Sequence, residues 1–116
     1  MVDTTEIVSE ADIDTALDYL RRSAQEAAVA RSNVKHLEKF LKTKIALLKK
    51  NYSKLSNAAA EDEAMAHPEY IELLDGYKVA VEQDAFHTYK REAADAAIRV
   101  WQTMRSDARA EGKAYG

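Results

Sequence analysis

The chain has 116 residues, with no cysteine, three glycines, one proline, 47% hydrophobic and 32% charged residues, and a formal net charge of −3. The lack of cysteine excludes disulfides, thiolate metal sites and a cysteine nucleophile. The apolar share is too high for a disordered chain, and no apolar run approaches the ~20 residues that span a bilayer.

The N-terminal stretch MVDTTEIVSEADID has neither a basic start nor an apolar run, so no signal peptide is expected, and the absence of cysteine fits a cytoplasmic setting. A first helix is predicted over 10–55, free of glycine and proline and roughly 70 Å long at 1.5 Å per residue. Ser9 and Asp12 resemble a capping box, with Val8 and Ile13 as its hydrophobic staple. The apolar stripe reads Ile13, Leu17, Leu20, Ala24, Ala27, Ala30, Val34, Leu37, Leu41, Ile45, Leu48, Tyr52 and Leu55. Its steps alternate between three and four, with slips near 27–30 and 41–45 that would change a supercoil locally.

Residues 56–67 are predicted to connect, with room for a short helical turn in AAAEDEAMA. Pro68 suits the first position of a second helix, predicted over 68–111, where its missing N–H costs nothing. The stripe of that helix reads Ile71, Leu74, Tyr77 or Lys78, Val81, Phe86, Tyr89, Ala93, Ala96 or Ala97, Val100 and Met104. Gly112 is the expected stop. Gly76, about 1 kcal/mol worse than alanine inside a helix, marks either close packing or a kink.

Charge runs in blocks. Residues 1–20 carry six acids and no base; residues 31–54 carry Arg31 and seven lysines against Glu38; residues 61–84 carry eight acids against Lys78. Folding near residue 62 lays the basic block on the acidic one, which selects antiparallel pairing although each exposed pair is weak. Two chains exchanging helices would satisfy the same pattern. The expected fold is therefore a single all-α domain, a long antiparallel, coiled-coil-like helical hairpin. Its apolar stripe calls for self-association into a helical bundle.

The basic block is the main candidate site. Lys35, Lys39, Lys42, Lys49, Lys50 and Lys54 suit phosphates of single-stranded DNA or an acidic partner, with Tyr52 as a stacking surface. The bland reading, a solvated face balanced by the acids of helix 2, carries more weight on composition alone. Tyr89, Val100, Trp101 and Met104 are the candidate oligomer interface, with Trp101 as its anchor. The histidines could point to a metal: Glu63 and His67 are four apart, Asp84 and His87 three apart, and His36 would lie level with His87. A helical di-iron site needs two Glu-x-x-His pairs, so no metal or other cofactor is expected. No phosphate loop, nucleophile elbow or zinc signature appears, and no enzymatic activity is expected.

At AHPEYIELLDGYK (66–78) and AADAAIRVWQTMRSDARAEGKA (93–114), together with the preceding Lys/Leu helix, the chain resembles small helical early-region proteins of tailed bacteriophages and prophages. The resemblance spans about residues 15–114. It implies a protein of the bacterial host's cytoplasm, often encoded near single-strand annealing, exonuclease or single-strand-binding functions. The expected function is thus a non-enzymatic adaptor in DNA recombination or replication. The alternatives are an inhibitor whose acidic faces, 1–18 and 61–84, occupy a basic groove on a host or defence protein, or a plain scaffold.

Overall fold

The structure, a computed structural model, describes residues 7–115, with side chains through residue 112. Helix α1 spans Glu10–Lys49. Its start is the reciprocal box read from the sequence. The Ser9 N–H donates to Asp12 Oδ2 at 2.9 Å, and the Asp12 N–H donates to Ser9 Oγ at 3.2 Å. These bonds satisfy two helix-end groups that would otherwise lack partners. The staple residues Val8 and Ile13 are both buried beneath it.

The first helix ends earlier than its apolar spacing predicts. After Lys49 the chain tightens into a 3₁₀ turn, Lys50–Tyr52, and the Leu55 N–H donates to the Tyr52 carbonyl at 3.0 Å. The cause is Ser56. It takes extended geometry and accepts from the Ala59 N–H at 3.2 Å, capping helix α2, Asn57–Ala66. Ten residues of the predicted connection are therefore helical. His67 then serves both neighbouring helices. Extended as residues before proline must be, it donates its N–H to the Ala64 carbonyl at the end of α2. Its ring Nδ1 accepts from the Glu69 N–H at 3.1 Å at the start of α3, Pro68–Tyr115. Pro68 occupies the first helical position, as expected.

Helix α3 runs unbroken through Gly76 and also through Gly112, where a stop was predicted. A glycine ends a helix by turning left-handed, and none of the described glycines has positive φ. The fold is an all-α helical hairpin, and among the described residues no helix is long and apolar enough to cross a membrane.

The chain forms two compact units, Met1–Gln25 with His87–Gly116, and Glu26–Phe86. In the first, Val8, Ile13, Ala16 and Ser23 of the N-terminal segment are buried, and Arg91, Ala94, Ile98 and Trp101 of α3 are half-buried. In the second, Ala30, Leu41 and Leu48 of α1 are buried, with Val34, Leu37 and Lys44 half-buried between them. Tyr70, Leu73, Tyr77, Ala80 and Asp84 of α3 face inward, and α2 adds Ala60 and Ala64.

These inward positions correct both predicted stripes. Ala16 and Ser23 are buried where Leu17 and Ala24 were expected, and Lys44 shares the inner face with Ile45. The slips then vanish, because the inward steps alternate three and four throughout, the spacing of coiled-coil seams. On α3, Ile71, Leu74, Val81, Phe86, Tyr89 and Val100 are all exposed. A register one residue earlier, running through Tyr70, Leu73, Tyr77 and Ala80, faces inward instead.

Candidate functional site: the lysine face of α1

Lys35, Lys42 and Lys49 recur every seven residues, each one step after an inward residue (Val34, Leu41, Leu48). Seven-residue spacing keeps them in one line along the helix. In an antiparallel pair, residues one step past the seam on both helices share a side. This side of the Glu26–Phe86 unit therefore also carries Ile71, Leu74, Lys78 and Val81 of α3. Lys39 points away from the neighbouring helix, and Lys50 and Lys54 follow the end of α1.

The acids of α3 do not cover this face. Among the described residues, Lys35, Lys39, Lys42, Lys50 and Lys54 are exposed and make no ion pair. Lys44, outside the line, pairs with Glu69 at 2.9 Å. The hydrogen bond and charge of that ammonium hold the Glu69 carboxyl below its ordinary pKa. Lys49 donates to the Asn57 side-chain oxygen, tying α1 to the first residue of α2. Arg31 and Asp84 approach to 3.5 Å. Glu38 accepts from the Tyr77 hydroxyl at 3.0 Å, which raises the pKa of that phenol.

The opposite side of the same unit holds a shallow groove of about 370 Å³, lined by Phe40, Lys44, Glu69, Glu72, Leu73 and Gly76. His36 stacks on Phe40 with ring centres 6.0 Å apart. The Glu38–Tyr77 bond shows that His36 lies level with residues just beyond Tyr77, not with His87 as expected. The fold point is nearer residue 57 than 62, because α2 is itself part of the return. Among the described residues, no three histidine, aspartate or glutamate side chains gather as a metal site would require.

In the unit Met1–Gln25 with His87–Gly116, Tyr89 and Val100 are exposed, while Trp101 and Met104 are half-buried. The Arg105 guanidinium lies 5.4 Å from the Trp101 ring centre. Sequence reasoning missed a polar contact here. Arg91 Nη1 donates to the Leu20 carbonyl and to the Ser23 hydroxyl, both at 2.9 Å. The Lys90 ammonium sits 4.6 Å from the centre of the Tyr19 ring, a favourable cation–π distance. The available signal was spacing: Asp84, His87 and Arg91 continue the three-four alternation of Tyr70, Leu73, Tyr77 and Ala80, but they are polar.

No known protein family, curated protein or solved structure matches this chain.

Proposed function

We propose that the chain is a non-enzymatic, phage-encoded helical adaptor for DNA recombination or replication in the bacterial cytoplasm. It self-associates and uses the lysine face of α1 to hold single-stranded DNA. The observation that carries this reading is the set of exposed lysines around Lys35 and Lys42 that make no ion pair among the described residues. Cations left in solvent, Lys35 and Lys42 in one line among them, match the repeating charge of a phosphate backbone. The phage setting rests on the resemblance at 66–78 and 93–114.

The test is fluorescence anisotropy of a labelled single strand titrated with protein at several salt concentrations. Binding should fall steeply with salt, and Lys35→Glu with Lys42→Glu should abolish it. Lys35→Ala with Lys42→Ala should flatten the log–log salt slope by roughly 1.4, about 0.7 for each phosphate that is no longer neutralised. No binding at low salt would reject DNA as the partner. The exposed acids Glu61, Asp62 and Glu63 of α2, also without an ion pair among the described residues, favour a second reading. In it, the chain inhibits a basic host protein, and reversing these three charges should release a protein that co-purifies with it.

A further inference from the structure

The groove side of the unit Glu26–Phe86 carries exposed apolar side chains beside Lys44, Glu69 and Glu72 of the groove. Val29, Phe40 and Leu47 of α1 each stand one step before an inward residue, and so do Gly76 and Val79 of α3. In an antiparallel pair these positions share one side. The large side chains among them are open to solvent, with Val79 52%, Val29 51% and Leu47 47% exposed. Gly76 lies between them at the groove. A Cβ built on it meets nothing within 4 Å, so no internal packing explains a glycine that weakens the helix.

We infer that a second copy of this chain covers the groove side, with α1 of each copy lying on α3 of the other as a four-helix bundle. This rests on the self-association in the reading above and specifies its face and orientation. Charge selects the occupant. A two-fold axis along the helices sets the basic stretch 31–54 of one copy level with the acidic stretch 61–84 of the other. Lys39 then approaches Asp75 of the second copy; both are exposed and without an ion pair among the described residues. Phe40 meets the gap over Gly76 of the second copy. On the lysine face, by contrast, both helices present cations (Lys35, Lys42 and Lys49 from α1, Lys78 from α3), which disfavours a second copy there.

The experiment is light scattering coupled to size exclusion over a range of concentrations, with circular dichroism on every variant. The wild type should run at twice 13.0 kDa. Gly76→Leu improves the helix of a lone chain but fills the space the second copy needs. It should therefore keep or raise helicity while weakening the dimer at least tenfold, and Val79→Glu should do the same to the dimer. Lys39→Glu and Asp75→Lys should each weaken it several-fold, and the double variant should recover. A wild type that is monomeric throughout overturns self-association itself. A dimer unmoved by Gly76→Leu and Val79→Glu overturns only this face, and its loss in Trp101→Ala alone places the interface in the other unit.

Discussion

The two units of the hairpin are held differently. The unit Glu26–Phe86 buries leucines Leu41 and Leu48 with the alanines Ala30, Ala60, Ala64 and Ala80, and its polar contacts across the helices are exposed or partly so. The unit of Met1–Gln25 and His87–Gly116 buries Val8, Ile13 and Ala16. It also turns a buried Ser23 toward Arg91, whose guanidinium reaches inward to it and to the Leu20 carbonyl. Apolar burial contributes in proportion to area, whereas an inward polar bond contributes little net and costs much when broken. One unit should therefore be sensitive to lost volume and the other to a lost partner.

The largest effect is expected from Leu48→Ala. Leu48 is 4% exposed, and removing its methyl groups should destabilise the protein by about 3 kcal/mol through lost transfer energy and an unfilled cavity. Urea unfolding followed by circular dichroism measures this. A loss below about 1 kcal/mol would mean that the alanine-rich surroundings collapse onto the gap. Next comes Arg91→Met, which keeps an unbranched apolar stem and helix propensity but strands the Ser23 hydroxyl. Hydrogen bonds from charged donors bring its expected cost to about 2 kcal/mol. The double change Ser23→Ala, Arg91→Met should recover part of that loss, because no buried hydroxyl is left without a partner. Equal loss in the single and double variants would show that Arg91 acts through the packing of its stem.

The hairpin and the starts of its two long helices were legible in the sequence because they rest on local chemistry: Ser9 with Asp12, the staple of Val8 and Ile13, and Pro68 at the head of α3. The inward register was not, and the reason lies in particular residues. An apolar period passes over Ser23, Lys44, Asp84 and Arg91, all of which occupy inner or half-buried positions. It therefore adopts the neighbouring row of Leu17, Ile71, Leu74 and Val81, which the structure exposes. Two apolar rows compete on α3, and choosing between them takes the partner helix, where Lys44 meets Glu69 and Glu38 meets Tyr77. The lysine line was visible as composition. That five lysines of the basic block make no ion pair with the described acids required the pairing register, since block charges alone suggested mutual cover. The early end of α1 was hidden because Tyr52 and Leu55 keep helical spacing, while the cap at Ser56 overrides it.

The smallest effect separates the units by pH and salt. Asp12, in the first unit, has its pKa lowered by the backbone N–H of Ser9 and then by its hydroxyl. Glu69, in the second, is lowered by the Lys44 ammonium, through a hydrogen bond and then through charge. Both carboxyls are more acidic folded than unfolded. Each contribution is therefore fully present above the unfolded carboxylate pKa and is lost as pH falls through the lower folded value. The sign predicts a thermal midpoint that drops on acidification below the ordinary carboxylate range. Salt distinguishes the two, since an exposed ion pair is screened while a short capping bond to a backbone N–H is not. Asp12→Asn should shrink the acid-dependent drop equally at low and high salt. Glu69→Gln should shrink it at low salt and hardly at all at high salt. Equal salt dependence in both variants would mean that the two carboxylates respond to net charge alone, and the contrast between cap and ion pair would fail.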